Sequence, residues 1–143
     1  MGVHAARLAV AFLSLVQFAA ATPGTTAAQE QPTQNQHVAV SLIAETRSIV
    51  PGRSFHVALR QQIEAGWHTY WVNPGDSGLP TQIDWSLPGD FKAGPILWPR
   101  PERIALGPVI DYGYYNDVLL PVDIDVPSTL SPGTNVVIAA HAS

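Results

Sequence analysis

From His37 onward the chain alternates apolar and polar residues with the two-residue period of β-strands. Val38, Val40, Leu42 and Ala44 share one parity, against Ala39, Ser41, Ile43 and Glu45 on the other, which predicts a half-buried strand. Pro51-Gly52 marks a turn. Over Ser54–Ile63, Phe55, Val57, Leu59 and Ile63 then face one way and His56, Arg60 and Gln62 the other. Glu64-Ala65-Gly66 turns the chain into Trp67-His68-Thr69-Tyr70-Trp71-Val72, a strand with large side chains on both faces. Asn73-Pro74-Gly75-Asp76-Ser77-Gly78 predicts a turn: proline sets one φ, glycine permits another, and Asp76 and Ser77 cap their own backbone. A short strand over Thr81–Trp85 is closed by Leu87-Pro88-Gly89-Asp90. Phe91–Trp98 is less regular and is stopped by Pro99-Arg100-Pro101.

Glu102–Leu106 is a brief apolar segment ahead of Gly107-Pro108. Val109–Asp117 reads as a hairpin bent near Asn116, with a bulge at Gly113 as the alternative. The sharpest alternation is Val118, Leu120, Val122, Ile124 and Val126 against Leu119, Pro121, Asp123 and Asp125. Pro121 cannot donate to a ladder, so this strand is expected at a sheet edge or with the missing donor facing out. Asp123 and Asp125 would then protect that edge. Thr134–Ala142 is the last strand, and the chain ends within it, so the domain reads as incomplete at its C-terminus. No stretch after residue 36 has helical periodicity. About seven to nine short strands separated by turns predict an all-β, immunoglobulin-like β-sandwich, with a barrel as the alternative.

The first residues follow another rule. His4 and Arg7 precede an apolar run from Leu8 to Ala21, too short to cross a bilayer comfortably but suited to a secretory signal core. Ala19-Ala20-Ala21 and Thr26-Ala27-Ala28 offer cleavage sites. Residues 1–28 are therefore expected to be a signal peptide, the alternative being an uncleaved anchor. Residues 29–36 form a disordered lead-in, and residues 37–143 form the domain. With 13% charged residues and a net charge of −4, there is no basic patch, and nucleic acid is not an expected partner. No cysteine is present, so this chain has no disulfide, thiol chemistry or thiolate metal site of its own.

Four constellations invite chemistry. Gly75-Asp76-Ser77-Gly78 resembles the surroundings of a serine-protease nucleophile, but His141 follows the serine where that family's histidine precedes it. His37, His56, His68 and His141 lack metal-ligand spacing, and no metal is expected. Asp123 and Asp125 would need burial to act as an acid–base pair. The aromatic excess is the stronger signal: Trp67, Tyr70, Trp71, Trp85, Trp98, Tyr112, Tyr114 and Tyr115 fall in or beside four loops. Some are core; the others suit a platform for a protein partner or a sugar ring.

Four ordered motifs together resemble a known family. They are Gly66-Trp67-His68-x-Tyr70-Trp71-x-Asn73-Pro74-Gly75-Asp76-Ser77-Gly78, Trp85-x-Leu87-Pro88, Trp98-Pro99-x-Pro101 and Tyr112-Gly113-Tyr114. They look like the periplasmic N-terminal domain of DsbD-type thiol:disulfide interchange proteins, in the branch of the suppressor-of-copper-sensitivity protein ScsB. The resemblance implies an immunoglobulin-like fold, a periplasmic location and a parent anchored in the inner membrane. It implies a membrane domain, a thioredoxin-like C-terminal domain, and partners of the thioredoxin-like or disulfide-isomerase type. The implied task is to relay reducing equivalents to periplasmic disulfide proteins, with links to cytochrome c biogenesis or copper tolerance, and no cofactor. The family's cysteine pair would begin just past Ser143, so no catalytic residue is assigned and the chain alone is expected to be redox-inert. Trp67, His68, Tyr70, Tyr112 and Tyr114 would shield the sulfurs or bind the partner. A cap loop would fall within Pro99–Val109. The competing reading is a non-enzymatic exported binding module with an aromatic surface.

Overall fold

A computed structural model describes residues 6–10 and 37–143; the lead-in over 29–36 lies outside the described residues. Eleven strands occur among the described residues. They are β1 (Ala6–Val10), β2 (Val38–Ala44), β3 (Ser48–Ile49), β4 (Ser54–Ile63), β5 (Thr69–Gly75), β6 (Ile83–Ser86), β7 (Lys92–Ile96), β8 (Glu102–Leu106), β9 (Val109–Tyr114), β10 (Asp117–Asp125) and β11 (Asn135–Ala142). The count exceeds seven to nine because alternation does not register two of them. β3 is only two residues long, and β1 lies in the stretch read as a leader.

Two four-stranded sheets, ordered β2-β4-β10-β7 and β3-β1-β11-β6, are joined by a three-stranded sheet ordered β5-β9-β8. The core between the four-stranded sheets holds Ile49, Phe55, Val57, Phe91, Val122, Ile124, Val126, Val136 and Ile138. A second cluster, of Leu59, Ile63, Tyr114, Val118 and Leu120, lies under the three-stranded sheet, with Trp71, Trp98 and Ala142 packed against it. The inward parities of β4 and β10 are those of the sequence pattern: Val57, Leu59, Leu120, Val122 and Ile124 are fully buried. The fold is all-β and immunoglobulin-like, as expected.

β10 is not an edge strand. It pairs with β4 over nine residues on one side and with β7 on the other. Pro121 is tolerated because its carbonyl accepts Leu97 N–H (2.8 Å) just beyond the end of β7. In an extended strand the N and O of one residue face the same neighbour, so the missing donor falls where that ladder stops. The bend near Asn116 is real, since Asn116 has φ 61°, but it carries the chain from one sheet to another and does not close a hairpin. The hairpin is β8–β9, with Leu106 opposite Val109 across Gly107-Pro108; Gly107 has φ 64°, which suits the first position of a two-residue loop.

Asp123 and Asp125 therefore do not guard an edge. Each is engaged by β4: Asp125 accepts from Ser54 Oγ (2.7 Å) and Asp123 Oδ1 lies 2.9 Å from His56 Nε2. The other ring nitrogen, His56 Nδ1, is 2.9 Å from Glu45 Oε2. A ring with a carboxylate on each nitrogen donates to both only when doubly protonated, so the arrangement favours the charged form of His56. Its pKa is raised, foremost by the hydrogen bond to Glu45, with desolvation opposing as the next effect and the charges of Glu45 and Asp123 adding. The stabilisation is present below the ordinary histidine value, about 6.5, and is lost as pH rises through the folded value. An NMR titration should place the His56 midpoint above that of a histidine in the unfolded chain, and Glu45→Gln should bring it down. An unmoved midpoint in Glu45→Gln would show that the bridge has no effect.

Candidate functional site

The aromatic ribbon begins one turn earlier than its strand. Gly66 has φ 87° and Trp67 N–H donates to Glu64 C=O at 3.0 Å, so Trp67 and His68 sit in the approach and the strand starts at Thr69. The turn is tied to the start of β2: Glu64 N–H donates to His37 C=O (2.8 Å), and His37 Nδ1 donates to the Glu64 carboxylate (2.7 Å). The His37 ring is thereby stacked on Trp67, with centroids 3.7 Å apart and planes 7° apart. Trp67 remains 47% exposed, enough to present an indole face to a partner.

β5 runs on through Asn73-Pro74 to Gly75, so the bend is confined to Asp76–Gly78 and does not start at Asn73. Asp76 and Ser77 also act differently from the self-capping role expected of them. Asp76 Oδ2 accepts Ile110 N–H (2.8 Å), while Asp76 N–H donates to Ile110 C=O (3.0 Å). Ser77 gives both its N–H (2.8 Å) and its hydroxyl (2.6 Å) to the Asp111 carboxylate. Asp111 is fully buried, and its pKa is lowered, foremost by the Ser77 hydroxyl, with burial opposing and the Ser77 and Asp76 amides and His68 adding. The bend is thus fastened to β9, 34 residues away in sequence. Two glycines permit this. Gly75 has φ 100°, and a Cβ there would lie 2.9 Å from Asp111 Cα; Gly78 has φ 79° and lies directly against the Tyr70 ring. The Ser77 hydroxyl donates to Asp111 and His141 is paired opposite Asp84 in β11–β6, so Ser77 does not have the hydrogen-bonding arrangement of a serine-protease nucleophile.

His68 lies between Tyr70 and Tyr115, edge-on to both, at centroid distances of 5.0 and 5.9 Å. Its Nε2 and the Trp71 Nε1 are buried without a hydrogen-bond partner, an arrangement that costs about 1–3 kcal/mol per group when nothing else satisfies it. Tyr112 is 37% exposed on β9. Tyr114 has the same parity as Tyr112 but ends β9 opposite Thr69, where the second core cluster buries it, and its hydroxyl donates to Pro99 C=O (2.8 Å); burial pushes its pKa up to about 12. Of the five aromatic residues expected to shield or bind, His68 and Tyr70 stand edge to face and Trp67 lies just ahead of them, stacked on His37; Tyr112 falls on the other face of the β5–β9 pair, because Tyr70 is opposite Gly113. Tyr114 shares the side of Tyr112 and is buried because the end of β9 lies over the second core cluster. The hairpin β8–β9 occupies the region expected for a cap, with Leu106 at its tip 50% exposed.

Sequence reasoning missed two residues. Gln61 is buried (4% exposed) and joins elements: its Nε2 donates to Thr81 Oγ1 (2.9 Å) and its Oε1 accepts Thr69 Oγ1 (2.8 Å). Its parity with Phe55, Val57 and Leu59 was the available signal. Asp111 is the other, and nothing local distinguished it from a solvent-facing aspartate. Ser143 closes the circuit by exchanging two backbone hydrogen bonds with Gln82, at 2.9 and 3.1 Å, beside Thr81. The last residue is therefore joined to Thr69, within the ribbon, through Gln82, Thr81 and Gln61. Among the described residues no three histidine, aspartate or glutamate side chains gather to hold a metal, and no helix is long and apolar enough to cross a membrane.

Comparison with solved structures finds similarity to the N-terminal periplasmic domain of ScsB from Proteus mirabilis, with a TM-score of 0.52 and 22% identity over 78% of this chain. The match spans 47% of that chain, so this sequence accounts for about half the relative's length. No curated protein matches the chain. The family model described as the N-terminal part of the thiol:disulfide interchange protein DsbD matches residues 34–142, nearly all of the folded part, and the chain belongs to that family.

Proposed function

We propose that this domain is the exported, partner-facing module of a protein-disulfide reductase. In this reading Trp67, His68 and Tyr70 shelter a cysteine pair carried beyond residue 143, and Tyr112, exposed on the other face of the β5–β9 pair, meets the partner. The intact protein sits in the inner membrane with this module in the periplasm, and relays electrons to a thioredoxin-like or isomerase-like partner. One thiolate attacks a sulfur of the partner's disulfide, forms the mixed disulfide and displaces the partner's other sulfur as thiolate. The second cysteine then attacks the mixed disulfide, releasing the dithiol partner and leaving the pair oxidised. Reducing equivalents enter from the membrane side. A link to cytochrome c biogenesis or to copper tolerance belongs to the same proposal through the resemblance alone.

The observation that carries this reading is the route from Ser143 to Thr69. Chain that continues from Ser143 emerges beside the aromatic ribbon, where a reduced pair in an oxidising compartment needs cover until a partner displaces it. The unpartnered His68 Nε2 supplies a polar atom beside Tyr70. The exposed indole of Trp67, backed by His37, favours the second reading, a binding module for a sugar ring or a protein.

The two readings separate on the intact protein. Under the first, a Cys-x-x-x-Cys follows residue 143 within about 15 residues, ahead of apolar spans of about 20. Trp67→Ala with Tyr70→Ala should then raise the rate at which a small alkylating agent reaches the reduced pair severalfold, while slowing exchange with the protein partner. A downstream stop codon, or alkylation indifferent to both substitutions, removes the shelter and leaves the binding module.

A further inference from the structure

β1 belongs to a stretch that reads as an export leader, yet its backbone is a strand of the folded domain. It runs parallel to β11 from Arg7 opposite Asn135 to Val10 opposite Ile138, and antiparallel to β3 through Ala6–Ile49 and Arg7–Ser48. Among the described residues β3 has no other ladder partner. β6 covers the other edge of β11 only from Ala139 to Ala142, so over Asn135–Ile138 β1 is the strand that satisfies β11. Ile49, Val136 and Ile138, which flank it, are core residues.

Removing residues 1–28 therefore takes a strand out from between two pieces of core. It uncovers Asn135–Ile138, and the strand to which they belong, Asn135-Val-Val-Ile-Ala-Ala-His-Ala142, carries no Lys, Arg, Asp, Glu or Pro, the devices that normally keep an edge from pairing. Val137, at its centre, is 54% exposed. An uncharged β-branched run is self-complementary when two copies meet edge to edge.

We propose that the place between β3 and β11 is a strand-acceptor slot, filled by Ala6–Val10 while the leader is attached and by the β11 edge of a second copy once it is removed. The leader keeps the precursor monomeric, and processing opens a dimerisation edge. This rests on reading residues 1–28 as a leader, which N-terminal sequencing of the exported protein tests separately.

The test compares three proteins by amide hydrogen exchange and by mass in solution: residues 1–143 made without export, the same chain with Ala9→Pro, and the processed chain from residue 29. Amides of 135–138 should exchange about tenfold more slowly in residues 1–143 than in Ala9→Pro. The first should be a monomer and the other two dimers, and Val137→Lys in the processed chain should restore the monomer. Equal exchange at 135–138 with and without Ala9→Pro overturns the slot. A monomeric processed chain, or a dimer indifferent to Val137→Lys, overturns the second copy as its occupant. Should the processed chain precipitate, Ala9→Pro in the full chain decides alone, by its exchange and its mass.

Discussion

Gly113→Ala is expected to separate β5 from β9 and to cost about 2–3 kcal/mol, as overpacking does where neither side can give. Gly113 sits in the middle strand of the three-stranded sheet, opposite Tyr70 on β5 and Glu102 on β8. A Cβ there would collide with the Thr69 carbonyl oxygen, with Thr69 C at 3.0 Å and Ile104 Cδ1 at 3.2 Å. The obstacle is backbone, so no rotamer change relieves it. β5 must move away, and the Thr69–Tyr114 and Tyr70–Gly113 register goes with it. Gly94→Ala is the control: its added Cβ would meet Asp123 O at 3.5 Å and Asp123 Cβ at 3.7 Å, ordinary contacts worth within about 0.5 kcal/mol either way. Urea midpoints of the two variants should differ clearly. Equal midpoints would mean that the close approach of Thr69 to β9 does not hold the ribbon in place.

Asp111→Ala should lower Tm by about 5–10 °C, because Ser77 N–H and Oγ–H lose their buried acceptor together and the bend comes off β9. Ser77→Ala should cost less, since the backbone N–H keeps its bond to the carboxylate. The two losses should fall short of additivity in the double variant, as they do for partners in one network. Folding lowers the Asp111 pKa, so its stabilising contribution is present above the ordinary carboxylate value, about 3.9, and is lost as pH falls through the folded value. Asp111→Asn, which keeps the shape and an acceptor oxygen, should flatten the loss of stability on acidification below about pH 5. Glu45 and Asp117 are shifted the same way, so the comparison with Asp111→Asn isolates this carboxylate. Parallel acid curves for the two proteins would place the fastening elsewhere.

Much of this was legible from residue order. The inward faces of β4 and β10, the turn at Pro51-Gly52, the strand at Asn135–Ala142 and the sandwich itself follow from period-two alternation and turn chemistry. Both are local properties. Gln61 could have been read too, since it shares parity with Phe55, Val57 and Leu59. The aromatic ribbon was visible as composition, but which rings face out was not. Tyr112 and Tyr114 share one side of β9 and differ in how far along it each sits relative to the core, and β9 pairs with β5 and β8, not with the β10 that follows it in the chain.

What alternation specifies is a face; it does not say which strand lies alongside. The unaided chain therefore settles the strands, the all-β class and the crowding of aromatic residues around residues 67–71. Packing alone decided that Asp76 and Ser77 grip residues 110 and 111, that Pro121 is tolerated inside a sheet, that His56 is clasped from both sides, and that Ser143 is linked to Thr69 through Gln82, Thr81 and Gln61. Each of these joins residues far apart in sequence, and such contacts form only when burial of the two apolar clusters has brought their strands together.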